Sequence, residues 1–266
     1  MSKKFFEFNI AAPKYKNQVV SLNNINKWLR WSKSKISNDY KNMLNDFYIP
    51  EPTEQLRSSW IRFDLYRHNG KVLDSDNLGI IVKWTIDAIK QKGWLEDDNQ
   101  VTYSIFPSIM DRNLVETEIK VSMFDKFLLT TENSSKIFEF NVAAPKYQKQ
   151  VVSLNNVNKW LRWHKSKISN DYKNMISDWH IPEPTSEFKD ILIEFKLYRH
   201  NGRVLDADNI GFIVKWTIDA IKEKGWLEDD NQVIFTVYPS IMDRELNETE
   251  IKVTAFQFDS YKVIDD

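Results

Sequence analysis

The stretch VLDSDNLGIIVKWTIDAIKQKGWLEDDNQV, Val72 to Val101, returns almost unchanged as VLDADNIGFIVKWTIDAIKEKGWLEDDNQV, Val204 to Val233. Asp206 minus Asp74 gives an offset of 132 residues, and the same offset relates KFFEFNIAAPKY from Lys4 to KIFEFNVAAPKY from Lys136. At that offset Lys4 to Val121 aligns on Lys136 to Val253 without a gap. One long repeat of this size predicts two whole domains rather than a solenoid of small units. The expected division is residues 1–123, a linker over 124–135 with a polar end, and residues 136–266.

Working outward from that stretch, copy one reads as an α+β domain. Leu78, Ile81, Val82, Thr85, Ile86 and Ile89 recur at helical spacing, which predicts a helix over about Asn77 to Lys92. Asp76 or Asn77 is its expected N-cap and Gly93 its stop. Lys4 to Ala11 alternates, with Phe6, Phe8 and Ile10 on one face, as a strand does. Trp60 to Tyr66 is a second strand, and Val101 to Phe106 and Thr117 to Met123 are two closing strands. Ile25, Trp28 and Leu29 predict a helix within Ser21 to Trp31. Tyr40, Met43, Leu44 and Phe47 form an apolar stripe on a helix for which Ser37 is the expected cap. The order is β-α-β-α-β-β: a two-layer domain, a mixed sheet with helices packed on it, present twice. Ile80, Trp84 and Ala88, with Phe212, Trp216 and Ala220, make a second apolar stripe, either an interface between the copies or a surface buried in its own domain.

Composition narrows the chemistry. The 266 residues include no cysteine, which excludes disulfides, thiolate nucleophiles and Cys-ligated zinc. There is no Gly-rich phosphate loop, nucleophile elbow or HExxH motif. No run of apolar residues is long enough to span a bilayer, and the first residues lack a signal-peptide core, so a cytoplasmic protein with no membrane partner is expected. The formal net charge is −1, so nucleic-acid binding would need a local basic face.

Acids cluster at both ends of the central helix: Asp74 and Asp76 before it, Asp97 and Asp98 after it. If the following strand returned the chain, three carboxylates would meet at one sheet edge and suit a hard, oxygen-seeking cation such as Mg²⁺. The other reading is structural: Asp76 caps the helix, and Asp97 and Asp98 make a turn before the strand.

LDSDN, then KWTIDAI, then KGWLEDDNQV, repeated as LDADN, KWTIDAI and KGWLEDDNQV, resembles the RusA family of Holliday-junction resolvases. That family's pattern is a D-x-DN loop, a helix bearing Lys and Asp, then Gly and DDxQV. SLNNINKWLRW and SNDYKN are similar, more weakly, to its early Asn-bearing loop and Tyr-containing helix. The resemblance covers nearly all of each copy. It implies a Mg²⁺-dependent endonuclease that makes paired cuts in four-way DNA junctions. By motif, the essential acids are Asp74, Asp76 and Asp98 in copy one and Asp206, Asp208 and Asp230 in copy two. Lys83 and Lys215 take the place of the active-site lysine, and Asp97 and Asp229 that of the less critical acid. One departure stands out: Leu78, Gly79 and Ile80 (Ile210, Gly211 and Phe212) lengthen the spacing from DN to the lysine by about three residues compared with the family's pattern. A surface pair, Lys83 with Asp87 at i, i+4, is the alternative for that lysine.

Between Lys14 and Lys41 seven basic residues (Lys14, Lys16, Lys27, Arg30, Lys33, Lys35 and Lys41) face one acid, Asp39. In copy two Lys146, Lys149, Lys159, Arg162, Lys165 and Lys167 recur with His164 added. With Trp31 and Trp163 among them, these segments suit DNA phosphates and base stacking, or are solvated helix faces. Arg67, His68 and Lys71, and Arg199, His200 and Arg203, flank the aspartate loops as phosphate ligands or loop decoration. Because family members work as dimers, the two copies imply a single-chain pseudo-dimer, monomeric and carrying both sites. A non-catalytic protein that binds junctions or a partner on the same fold is the second expectation.

Overall fold

The computed structural model describes residues 3–25, 28–68, 75–127, 129–157, 160, 162–184, 190–200, 206–229 and 232–263. The chain divides into two compact units, the second spanning Leu129–Val263 and the first formed by the chain before it. Each is a mixed α+β fold.

In the first unit β1 (Lys4–Ala11) leads through a small hairpin, β2 (Lys14–Tyr15) and β3 (Gln18–Val19), to helix α1 (Arg30–Phe47). Strand β4 (Ser59–Arg67), a 3₁₀ turn (Ser75–Leu78), helix α2 (Gly79–Gln91) and a second 3₁₀ turn (Asp98–Gln100) come next. β5 (Val101–Ile105), β6 (Ile109–Met110) and β7 (Glu118–Phe124) close the unit. The sheet order is β1-β7-β4-β5, with β6 on the end of β4. β1/β7 and β7/β4 are antiparallel, and β4/β5 is parallel with Ser59 opposite Val101. A parallel pair needs a crossover connection, and α2 is that crossover.

The second unit repeats the order. It contains β8 (Leu129–Glu132), β9 (Ser135–Ala143), β10 (Lys146–Tyr147), β11 (Gln150–Val151), α3 (Leu154–Val157), α4 (Arg162–Trp179), β12 (Ile191–Arg199), α5 (Gly211–Glu223), β13 (Val233–Val237), β14 (Ile241–Met242), β15 (Glu250–Gln257) and β16 (Ser260–Val263). Its sheet runs β9-β15-β12-β13. The segment expected to be only a linker holds β8, which pairs antiparallel with β16.

Alternation explains the strands. Ile61, Phe63 and Leu65 of β4, and Ile193, Phe195 and Leu197 of β12, are fully buried on one face. The tyrosine of each long helix joins it to the central helix: Tyr40 Oη lies 3.4 Å from Thr85 Oγ1, and Tyr172 Oη 3.2 Å from Thr217 Oγ1. Trp84 packs on Tyr40 with ring centroids 6.3 Å apart, so the second apolar stripe meets α1 of its own unit. Gly93 and Gly225 end α2 and α5 at φ +95° and +92°, a left-handed conformation that glycine adopts without a Cβ penalty.

Three expectations change. Ser21 to Ile25 forms turns, not the start of a helix; Asn24 closes it, taking a hydrogen bond from Ser21 N and giving one to Val19 O. Side-chain amides compete with helical backbone bonds in this way. In the second unit the four-residue α3 forms at the corresponding place. Ser37 lies within α1 rather than at its start. Phe47 is 80% exposed, so it leaves the core stripe.

Candidate functional site

The 3₁₀ turn before α2 carries Asp76 and Asn77, both buried. Neither caps the helix, which has Leu78 at its N-cap and no side-chain cap bond. Instead Asn77 Nδ2 donates to Asp76 Oδ1 at 2.9 Å. The backbone carbonyl of Asn77 accepts from Leu22 N at 3.1 Å, fastening the early Asn-bearing turn to this one. The second unit builds the same turn: Asn209 Nδ2 donates to Asp208 Oδ1 at 3.0 Å and to Asp206 Oδ2 at 3.4 Å. Asp76 and Asp208 are each 1% exposed, a costly position for carboxylates.

Each asparagine spends its amide N–H on the neighbouring carboxylate, while its carbonyl oxygen is buried without a hydrogen-bond partner in both units. The donor set is therefore all oxygen, with one acceptor unsatisfied. That set fits a hard divalent cation and its bound waters. The sequence pointed to the aspartates of D-x-D-N and offered the asparagine only as a helix cap; its bond to the neighbouring carboxylate is what that reading left aside, and the N of the motif was the available signal.

Within the first unit Asp98 stands apart from Asp76. Because β5 starts beside the start of β4, the turn holding Asp98 lies at the opposite end of α2 from Asp76. The expected convergence of Asp76 and Asp98 within one unit does not occur, and the parallel β4/β5 pairing is the reason. Asp98 meets Asp87, their carboxylate oxygens lying within 4.8 Å. At 1.5 Å per residue Asp87 is about 16 Å along the helix from Asp76. Lys90 Nζ reaches Asp98 Oδ1 at 2.5 Å and Asp97 Oδ1 at 3.3 Å. Burial raises the Asp98 carboxyl, but hydrogen bonds with Asp97 and Lys90 outweigh it and hold the group below its ordinary value. The hydrogen bond to Asp98 pushes the Lys90 ammonium up. Asp97 and Asp229 enter a tight turn, their backbone N–H donating to Gln100 and Gln232 at 3.1 and 2.9 Å.

Lys83 and Lys215 form the helix-surface pairs offered as the alternative reading. Lys83 Nζ lies 3.5 Å from Asp87 Oδ1, and Lys215 Nζ lies 3.1 Å from Asp219 Oδ1, the i, i+4 pairs. Asp74, Asp230, Lys27, Lys71, Lys159 and Arg203 lie outside the described residues, as do the side chains of Arg30 and Arg162.

The basic segments are partly neutralised by acids near and far in the sequence. Lys14 pairs with Glu116 at 2.5 Å, Lys35 with Asp39 at 2.6 Å, Lys41 with Asp87 at 3.9 Å, and Lys146 with Glu248. Lys165 Nζ sits 3.8 Å over the Phe212 ring and Lys16 Nζ 5.4 Å over Tyr15. Burial lowers the Lys33 ammonium. Lys149 and Lys167 are exposed. Trp31 and Trp163 are 65% and 61% exposed, which leaves their rings open to solvent. Arg67 and Arg199, by contrast, are buried at the ends of β4 and β12. Among the described residues no helix is long and apolar enough to cross a membrane. Compared with known proteins, the sequence matches no family model and no curated relative.

Proposed function

We propose that this chain is a tandem duplication of a RusA-like domain and acts as a Mg²⁺-dependent, structure-specific DNA endonuclease on four-way junctions. The observation that carries the reading is the paired D-N turn: a buried aspartate oriented by an asparagine whose carbonyl oxygen has no partner, built the same way in both units. Asp76 in the first unit, and Asp206 and Asp208 in the second, would hold Mg²⁺, with Asp74 completing the first set by motif. Bound there, the ion would activate a water molecule and offset charge on the phosphodiester. Asn77 and Asn209 fix the carboxylate orientation. The start of each central helix contributes a positive backbone potential beside the reacting anion. Two such turns in one polypeptide match the two-fold symmetry of a four-way junction, so the working form is a monomer.

A second reading, a junction-binding protein without cutting activity, is favoured by the separation of Asp76 from Asp98 and by the engagement of Lys83 with Asp87. Labelled four-way, flap and linear duplex DNA, incubated with Mg²⁺ or with EDTA, separate the two. The nuclease reading expects cuts in the four-way DNA with Mg²⁺ only. Cutting of the flap alone would move the substrate class. Metal-independent binding with no cuts would replace the enzyme by the binding protein.

A further inference from the structure

Arg67 is the last residue of β4 and Arg199 the last residue of β12. Strand alternation puts them on the same faces as Ile61, Phe63 and Leu65 and as Ile193, Phe195 and Leu197, the fully buried rows. Each arginine is 8% exposed. Each has its Nε buried without a hydrogen-bond acceptor, and among the described residues neither guanidinium has a carboxylate at ion-pair distance. A guanidinium stays charged at any pH a protein survives, so it cannot relieve burial by losing a proton. Removing such a charge from water without a counterion costs several kcal/mol.

The position adds a second argument. In open sheets with parallel strands, ligands bind beyond the carboxyl ends of those strands. β4 and β5 are parallel, as are β12 and β13. Their crossover helices bring the D-N turns to that same end. The same strands also carry a charged pair whose sign is reversed between the units, Arg62 with Asp64 against Glu194 with Lys196. Charges that satisfy each other change sign together, whereas Arg67 and Arg199, with no carboxylate partner among the described residues, keep theirs.

We infer that Arg67 and Arg199 are each half of an anion site, and that the anion is a phosphate group, in the working protein a backbone phosphate of the DNA. The guanidinium fork matches two phosphate oxygens, and an incoming phosphate supplies the missing counter-charge. The DNA source rests on the proposed function; the anion site does not.

The first measurement is thermal unfolding of the full chain in inorganic phosphate against chloride at equal ionic strength. Above the dissociation constant, each tenfold rise in phosphate should raise Tm by roughly 4 °C. In the double variant Arg67→Met/Arg199→Met the increment should vanish while Tm in chloride rises, because an uncompensated buried charge has been replaced by a flexible apolar chain. Arg67→Lys/Arg199→Lys should keep a reduced increment. No phosphate increment in wild type, or a Met variant that loses Tm in chloride, overturns the site. The second measurement is junction binding in EDTA across salt. Removing both arginines should reduce the slope of log affinity against log salt by about two. An unchanged slope overturns the DNA assignment even with a phosphate increment. A phosphate increment in a protein that binds no junction supports the anion site and ends the DNA reading.

Discussion

The D-N turns and the strands that lead to them differ in what the two halves of the chain preserve. Around Asp76 and Asp208 the residues, the burial and the hydrogen bonds repeat. On β4 and β12 the chemistry is inverted. Arg62 donates to Asp64 at 2.9 Å and lies 4.4 Å over the Phe106 ring. At the corresponding places Glu194 pairs with Lys196 at 3.6 Å and accepts a 2.7 Å hydrogen bond from the Tyr238 hydroxyl, with Lys196 Nζ 4.9 Å over that ring. The ring has gained a hydroxyl where its neighbour changed from cation to anion. A pair that satisfies itself is free to reverse sign as a unit. A group held for a ligand would not be free in that way, and the D-N turn repeats without any such reversal.

The largest stability effect should come from breaking the inverted set. Arg62→Glu leaves Asp64, 2% exposed, beside a second anion, and should cost about 3 kcal/mol by urea denaturation. Burial already raises the Asp64 carboxyl, with Arg62 opposing that effect, so losing the guanidinium pushes it further up. Adding Asp64→Lys and Phe106→Tyr imports the other unit's set and should recover most of the loss. If the triple variant is as unstable as the single, the sets are not interchangeable and the comparison fails.

Tyr238→Phe tests one bond of that set. Glu194 loses a hydrogen-bond donor, which should cost about 1–2 kcal/mol, while Phe106→Tyr alone, with no carboxylate to meet, should gain nothing. A smaller and matched effect is expected at the helix stops. Gly93→Ala and Gly225→Ala place a Cβ on residues at φ +95° and +92°, with only ordinary contact to Pro52 and Pro184 Cγ at 3.6 Å. Each should cost roughly 1 kcal/mol, equally in both units.

The smallest effect is in acid. Burial raises Glu7, but hydrogen bonds from Lys120 and Ser122 outweigh it and lower the carboxyl; the hydrogen bond from Lys252 lowers Glu139. A carboxyl depressed on folding contributes stability that is complete above its unfolded pKa and is lost as pH falls through its folded one. Glu7→Gln and Glu139→Gln should therefore flatten the decline in Tm below the ordinary glutamate range and leave the profile near neutrality parallel to wild type.

Much of the fold was legible because its signals are local. Alternation fixed β1 at Lys4–Ala11 to the residue, and Gly93 marks the end of α2 as expected. The errors are also physical. Ile25 is buried but Leu29 is 63% exposed, so the apolar spacing read in Ser21 to Trp31 holds only at its start, where Asn24 spends its side chain closing a turn. Phe47 continued a helical stripe that the core does not reach. The site was half legible. D-x-D-N announced a buried acidic turn. Its separation from Asp98 depends on β4 and β5 pairing in parallel, a long-range fact that no spacing along the chain encodes.

The central claim is that the two D-N turns are two working metal sites on one chain. Its most direct test is a four-way junction labelled on each strand, with Mg²⁺, cut by wild type, Asp76→Asn, Asp208→Asn and the double variant, with folding checked by circular dichroism. The account predicts paired nicks from wild type, a single nick from each folded single variant, and none from the double. Paired nicks from the folded double variant would contradict it.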